Sequence, residues 1–228
     1  MLTPIFSHTT VPEVIKVSMA LFFTIVFYPS MPNVSIDINT TTVVIAILSE
    51  ILFGVAVGLI LQIAFNVISF AGGLISFVMG FSMASAIDPQ SGISVPIISQ
   101  FLSLLALMML FTLDMHHWIL LFVDESLRSV PMGGFLVNHD FFKYTLKATT
   151  NMFIVGFMIA FPIIALGWLS DVIFGMLMKT MPQFNLLVIG YPIKIVVSLV
   201  VIIATLSATM MILKDQMLDA FNFLEMFF

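Results

Sequence analysis

The sequence predicts an all-α, polytopic helical membrane protein with interrupted helices. Hydrophobic residues make up 61% of the 228 residues and charged residues only 8%, whereas soluble domains have about 45–50% and 25%. The apolar residues form continuous runs close to the roughly 20 residues that a helix needs to cross a bilayer, and the mean hydropathy is +1.21. Such runs argue against a β-barrel, whose strands alternate apolar and polar residues.

Charge and residue usage exclude several classes of function. The net charge is -5 and the seven Lys and Arg residues are scattered, which leaves no basic patch for nucleic acid. Cysteine is absent, so disulfides, thiolate metal sites and cysteine nucleophiles are excluded. The 18 Met and 24 Phe residues can together form an adaptable apolar seal, although membrane cores use both routinely.

Residues 43–86 are almost continuously apolar and predict two helices rather than one. A single helix of that length would be about 66 Å long, which is about twice the hydrocarbon core. We therefore expect a break near residues 66–73. Glu50 and Gln62 precede that break and are expected to face protein, because an ionisable group that faces lipid costs about 2.5 kcal/mol or more.

The other apolar runs complete one predicted membrane domain of residues 1–228. Further helices are expected at residues 14–28, 94–113, 148–169 and 195–213, with loops near 29–42, 88–96 and 123–147 and an amphipathic tail at 214–228. In that tail one apolar stripe lies against polar and acidic neighbours, and it consists of Met217, Leu218, Phe221, Leu224 and Phe228. Such a stripe is able to lie on the membrane or to dock on a partner.

Residues 71–96 are apolar enough to be buried but poor at forming a helix. Glycines weaken a helix interior by roughly 1 kcal/mol each, and Asp-Pro followed by Gly ends a helix and allows a turn. The residues concerned are Gly72, Gly73, Gly80, Asp88, Pro89 and Gly92. The stretch therefore predicts a hinge, a ligand site or a closure.

A second group of charges lies in residues 167–195. Three residues recur every four positions on nearly one helical face: Asp171, Gly175 and Lys179. Two interpretations of Lys194 carry equal weight. In the first interpretation, Lys194 and Pro192 simply form the first turn of the last helix. In the second, Lys194 is buried and paired with a carboxylate such as Asp171, because an unpaired cation at a helix N-terminus opposes the macrodipole.

Motifs of catalytic or metal chemistry are mostly missing from the sequence. His116, His117 and Asp114 could suggest a metal, but adjacent histidines on a helix diverge by about 100° and there is no H-E-x-x-H pattern. Neither G-x-S-x-G nor a phosphate-binding glycine loop followed by Lys-Ser/Thr occurs. The sequence thus predicts no enzyme, no metal and no cofactor.

Two non-enzymatic classes remain open from the residues alone. Gly- and Pro-interrupted helices with buried ions are typical of small-solute secondary transporters, although the chain shows no internal repeat that pairs its halves. Interrupted helices are equally expected in a subunit of a larger channel, where non-helical backbone lines a cavity or is buried by partners. An assembly factor without a pore is a third hypothesis.

Two stretches resemble the most characteristic segments of the export-gate R-subunit family of flagellar and type III secretion systems, the FliR family. They are AGGLISFVMGFSMASAIDPQSG at residues 71–92 and GWLSDVIFGMLMKTMPQFNLLVIGYPIKI at residues 167–195. Supporting matches follow the same order: TPIFS at 3–7, VPEVIKVSMAL at 11–21 and the HHW...S...P.GG pattern at 116–134. The resemblance covers nearly the whole chain, although it begins one hydrophobic helix later than family members usually do.

The resemblance implies a subunit that assembles with P- and Q-type subunits into the entry channel for unfolded export substrates. It implies an inner-membrane location in a flagellar basal body or a secretion-system base, with the tail near the cytoplasmic face and a B-type subunit. The segment at 79–95 is implied to plug the channel, through Met79, Gly80, Phe81, Ser82, Met83, Ile87, Asp88, Pro89 and Gly92. The implied structural and assembly residues are Gly72, Gly73, Asp171, Gly175, Lys179, Pro182, Gln183, Asn185, Gly190, Pro192 and Lys194.

Overall fold

The structure, a computed structural model, describes residues 12–31, 39–81, 96–135, 139–181, 183 and 185–226. These residues contain α-helices and no β-strand, which confirms the predicted all-α class. The helices are α1 (Glu13–Phe27), α2 (Thr40–Met79), α3 (Ile97–Thr112), α4 (Met115–Ser129), α5 (His139–Thr180) and α6 (Tyr191–Glu225). A 3-10 turn at Tyr28–Ser30 follows α1, and a π turn at Leu186–Gly190 leads into α6.

Three of the described helices are long and apolar enough to cross a membrane. They are α2 with 40 residues, α5 with 42, and α6 together with the end of the π turn, Val188–Glu225. Helices α3 and α4 would form a fourth span if taken together, but they meet at a bend of 65°. The length and composition of these helices agree with the predicted polytopic membrane protein.

The chain divides into two compact units. Unit 1 contains Met1–Phe65, Leu107–Thr149 and Asp215–Phe228, and unit 2 contains Asn66–Ala106 and Thr150–Lys214. In unit 1 the aromatic side chain of Phe53 lies 4.9 Å from Phe135 and 6.3 Å from Phe122, between ring centroids. In unit 2 the core includes Ile68, Ala71, Ile75 and Ile163, which are almost completely buried.

The predicted break near residues 66–73 is wrong, because α2 continues without interruption through this region. A Cβ on Gly72 would overlap the backbone of Ser99, so the glycine lets α3 approach α2 closely. The hydroxyl of Ser99 donates to the carbonyl of Ser69 at 2.8 Å, and the hydroxyls of Ser69 and Ser103 lie 2.9 Å apart. Small residues at helix contacts permit such packing, which offsets the low helix propensity of glycine.

The predicted loop at 123–147 is also mostly helical. Helix α4 continues to Ser129 and α5 begins at His139, so only residues 130–138 connect them. The polar residues that suggested a loop belong to helix faces instead. Asp124 and Arg128 form an ion pair one turn apart, with 3.0 Å between their oxygen and nitrogen atoms, and Ser126 is buried on the other side of α4. Likewise, α2 begins at Thr40, inside the predicted loop at 29–42.

The predicted amphipathic tail is the last part of α6, and its apolar stripe is already covered by unit 1. Met217 is 1% exposed and Leu224 is 0% exposed. The ring of Phe221 lies 5.8 Å from Trp118, between centroids, in an edge-on contact. The stripe is therefore not free to lie on a membrane as the sequence suggested. Phe228 lies outside the described residues.

Candidate functional site

Helix α2 ends at the residue where the predicted plug segment begins. The N–H of Gly80 donates to the carbonyl of Phe77 and the N–H of Phe81 donates to that of Ser76, both at 3.1 Å. These two bonds form a Schellman motif, whose capping residue adopts the left-handed conformation. Gly80 has φ +88°. The prediction that the helix extends to Asp88 and Pro89 is therefore wrong, because Gly80 ends it first.

Two further segments of unit 2 pack against this helix end. A Cβ on Gly80 would lie only 2.7 Å from Cε1 of Tyr191, the first residue of α6. A Cβ on Gly167 in α5 would overlap the side chain of Val78 and would lie 3.4 Å from Cε of Lys194. The end of α2, the middle of α5 and the start of α6 thus meet at glycine contacts. We call this place the gate junction.

An ion pair joins two of these segments within the gate junction. Nζ of Lys194 donates to Oδ1 of Asp171 at 2.7 Å. Lys194 is 5% exposed, whereas 55% of the Asp171 side chain is exposed. The pairing that the sequence left at even weight is therefore present. The first-turn interpretation also holds, because Pro192 and Lys194 both lie in the first turn of α6, where the carboxylate offsets the unfavourable position of a cation.

The π turn at Leu186–Gly190 sets the start of α6. Asn185 opens the turn: its side-chain oxygen accepts from the N–H of Val188 at 3.4 Å and its carbonyl accepts from the N–H of Ile189 at 3.0 Å. Pro192 has no N–H and cannot continue a regular hydrogen-bond ladder into α6. Gly190 is buried, and a Cβ there would lie 2.6 Å from Cδ1 of Leu186. Single π turns within helices are frequent at functional sites.

A cavity of about 480 Å³ opens at the gate junction. Its lining residues are Phe77, Val78, Gly80, Trp168, Asp171, Phe174, Met178, Leu186, Tyr191 and Lys194. The lining residues are mostly aromatic and aliphatic, and Asp171 and Lys194 are the charged ones among them. They come from the end of α2, α5, the π turn and α6, which meet around the cavity.

The structure brings some of the predicted site residues together and leaves others apart. Gly80, Asp171, Gly190 and Lys194 belong to the gate junction, and Met79 beside it is fully buried. Exposed residues away from these contacts include Gly175, Lys179 and Gln183, and a Cβ on Gly73 or Gly175 would meet nothing within 4 Å. The predicted plug and motif residues outside the described part of the chain are Ser82, Met83, Ile87, Asp88, Pro89, Gly92 and Pro182.

Sequence reasoning did not select three residues that shape the gate junction. Gly167, Trp168 and Tyr191 all lie within the stretch used for the family resemblance, but none carries a charge or stands in a helix-breaking pattern. Gly167 itself gives the signal that could have found this contact, because small residues are enriched where membrane helices approach each other closely.

A second glycine turn lies in unit 1, at the Pro131–Phe135 loop. The N–H of Gly133 donates to Oε1 of Glu50 at 3.1 Å, and the hydroxyl of Ser49 donates to the carbonyl of Phe135 at 3.0 Å. Gly133 has φ +76° and its Cβ would lie 3.2 Å from Cα of Ala46. Glu50 thus contacts protein as expected, although the residue is solvent-exposed in the isolated chain.

Comparison with known proteins places these features in a family. The sequence model of the bacterial export proteins, family 1, matches residues 1–220. The chain belongs to this family. The matched region includes every residue of the gate junction and the Pro131–Phe135 loop.

Relatives across distant bacteria are called flagellar biosynthetic protein FliR. The protein of Bacillus subtilis (strain 168) is 31% identical over 216 residues, which cover 93% of this chain and 83% of that protein. The Escherichia coli (strain K12) protein is 28% identical over 221 residues, or 97% and 85% of the two chains. The Aquifex aeolicus (strain VF5) protein is 24% identical over 226 residues, or 98% and 87%. The resemblance drawn from the motifs is confirmed: the chain is a bacterial export protein of the FliR family with helices of membrane-spanning length.

Proposed function

We propose that this chain is the R-type channel subunit of a flagellar protein export gate. In this role it assembles with P- and Q-type subunits in the inner membrane at the flagellar basal body, with a B-type subunit near its cytoplasmic end, and lets unfolded export substrates cross. The observation that carries the proposal is the family match over residues 1–220. The three relatives described above are all called flagellar biosynthetic proteins. The proposed activity is passage and closure, without catalysis.

The exposed apolar surface of the chain supports an assembled state. Helix α1 has no buried residue, and Val14 and Ile25 are 76% and 74% exposed. Large apolar side chains are also exposed along α2 and α6, for example Ile51 and Ile203. Surface of this kind must be covered by lipid or by other subunits, because exposed apolar patches of this extent are unfavourable in water.

The gate junction supports a plug role for residues 79–95. The Schellman motif at Gly80 and its contact with Tyr191 give this segment a fixed starting point. A plug must return to one place after each substrate, and a rigid anchor at one end serves that purpose. In this proposal Phe81, Met83 and Ile87 provide the apolar seal.

Deletion of residues 87–91 in the assembled gate tests the plug role. We expect cells or vesicles that carry the deletion to leak ions and small solutes, measured by dye or proton flux. A deletion of equal length at residues 33–37, outside the plug segment, is the matched control and should leave the membrane tight. A membrane that stays tight after deletion of residues 87–91 would contradict the plug role.

Purification tests the assembly. We expect the chain to be monodisperse when it is co-produced with P- and Q-type subunits and to aggregate alone, measured by size-exclusion chromatography in detergent. A monodisperse chain that shows saturable solute uptake in liposomes on its own would instead favour a small-solute secondary transporter.

A further inference from the structure

The bend between α3 and α4 brings three metal-binding side chains together in unit 1. Asp114 separates the two helices and has φ 55° and ψ 20°, in the left-handed region. His116 and His117 follow in the first turn of α4. One possible ligand atom from each of these three residues lies within 4.8 Å of the others.

The two histidines do not diverge as the sequence suggested. Their ring centroids are 4.1 Å apart, with the ring planes tilted by 38°. The expectation of about 100° between neighbours describes the directions of the Cα–Cβ bonds in a helix, and rotation of the side chains can still bring the rings together. Each ring can therefore offer a nitrogen to the same ion, and the imidazole ring is the commonest metal ligand in proteins.

The distance between Asp114 and His117 is suited to a shared ion. Oδ1 of Asp114 and Nδ1 of His117 are 3.5 Å apart, which is longer than the usual 2.7–3.2 Å of an N–H···O hydrogen bond. Nitrogen and oxygen ligands bind zinc at about 2.0–2.2 Å in a tetrahedron, and such bonds place neighbouring ligand atoms about 3.3–3.5 Å apart. The pair therefore already has the spacing of two ligands of one ion.

His116 supplies an independent observation. Its Nδ1 atom is buried and has no hydrogen-bond partner among the described residues. A buried polar atom without a partner costs about 1–3 kcal/mol, so such atoms call for an explanation. The ring of Phe111 lies 5.3 Å from that of His116, between centroids. A metal ion bound through Nδ1 would give the unpaired nitrogen a partner.

We propose that Asp114, His116 and His117 bind one divalent transition-metal ion, with water in the remaining position. Imidazole nitrogens and a carboxylate oxygen suit zinc, nickel or copper, and the chain has no cysteine that would select a softer ion. The bound ion fixes the bend between α3 and α4, because its ligands come from the linking residue and from the first turn of α4.

Zinc titration of the full-length chain, purified with its export partners and a histidine-free tag, tests the site. The compared variants are Asp114→Asn, which tolerates the left-handed backbone, His117→Ala, and the control His139→Ala, which lies in α5. Loss of an outer-shell partner alone typically weakens metal affinity about 10–100-fold. We therefore expect calorimetry to show at least a ~10-fold weaker affinity for Asp114→Asn and His117→Ala, with His139→Ala unchanged.

A spectroscopic measurement locates the ion. The chain has two tryptophans, Trp118 and Trp168. In a Trp168→Phe background, nickel should quench the fluorescence of Trp118, next to His117, and Asp114→Asn should move the quenching midpoint to at least ~10-fold higher nickel concentration. A zinc affinity of Asp114→Asn and His117→Ala equal to that of the unsubstituted chain, or a quenching midpoint that Asp114→Asn does not move, would overturn the proposal.

Discussion

The gate junction and the Pro131–Phe135 loop each turn at a glycine in the left-handed conformation, but different contacts hold the two turns. Each contains one glycine at positive φ, Gly80 at +88° and Gly133 at +76°. The Gly80 turn lies against the Tyr191 ring, beside a buried lysine in a 2.7 Å ion pair. The Gly133 turn lies against the backbone of Ala46 and is held by hydrogen bonds to Glu50 and Ser49.

This difference shows that the burial of a charged side chain changes how much its contact contributes to stability. A charge in the almost fully buried side chain of Lys194 needs its partner, since removal of the partner leaves a poorly solvated cation. The carboxylate of Glu50 belongs to an exposed residue and accepts a hydrogen bond from one backbone N–H, that of Gly133. We therefore expect substitutions at the gate junction to destabilise the protein more than substitutions at the loop.

The largest expected effect is that of Gly80→Ala. An alanine in the left-handed region costs roughly 1–2 kcal/mol, and its methyl group would also displace the Tyr191 ring, so we expect about 2–3 kcal/mol in the free energy of unfolding. Gly73→Ala is the matched control, because a Cβ there meets nothing within 4 Å and alanine favours a helix by up to about 1 kcal/mol. Thermal unfolding in detergent measures both, and equal midpoints would contradict the role of Gly80 as the helix cap.

Lys194→Ala should have the next largest effect, about 1.5–3 kcal/mol, the range for a hydrogen bond to a charged group. The figure is below that of a fully buried pair because Asp171 is half-exposed. Lys194→Arg keeps the charge and should cost less, and Lys179→Ala, at an exposed position of α5, should have little effect. Complex stability, followed by dissociation on heating, measures the series. Equal and negligible effects of Lys194→Ala and Lys194→Arg would mean that the pair contributes nothing to stability.

Glu50→Ala should have the smallest effect, about 0.5–1.5 kcal/mol, which is typical for loss of one hydrogen bond. Glu50→Gln keeps an acceptor oxygen for the N–H of Gly133 and should restore most of the stability. Hydrogen exchange of the Gly133 amide reports the bond directly. Unchanged exchange in Glu50→Ala would show that the hydrogen bond does not hold the loop.

Several parts of the fold could be predicted from the sequence because they depend on composition and local pattern. The all-α class follows from continuous apolar runs, and the stripe of Met217, Phe221 and Leu224 was identified from its spacing. What covers that stripe could not be predicted, since hydropathy indicates that a side chain is removed from water but not which atoms contact it. In the structure, unit 1 covers it.

From the sequence alone, a glycine inside an apolar run does not show whether the helix ends there or packs closely against another helix. Gly72 and Gly80 both appeared as weak points of one helix, yet Gly72 permits a close contact inside an intact helix while Gly80 ends the helix. Absence of a Cβ lowers helix propensity and allows close approach at the same time. Only the tertiary neighbours, Ser99 in one case and Tyr191 in the other, decide which property is used.

The π turn at Leu186–Gly190 has a consequence for insertions and deletions. Each residue of an α-helix turns the chain by about 100°, so loss of one residue within Leu186–Gly190 would change the register of α6 relative to the residues that precede it. Lys194 would then point away from Asp171, and Tyr191 away from Gly80. Length variation among homologues is therefore expected to be rare in the π turn.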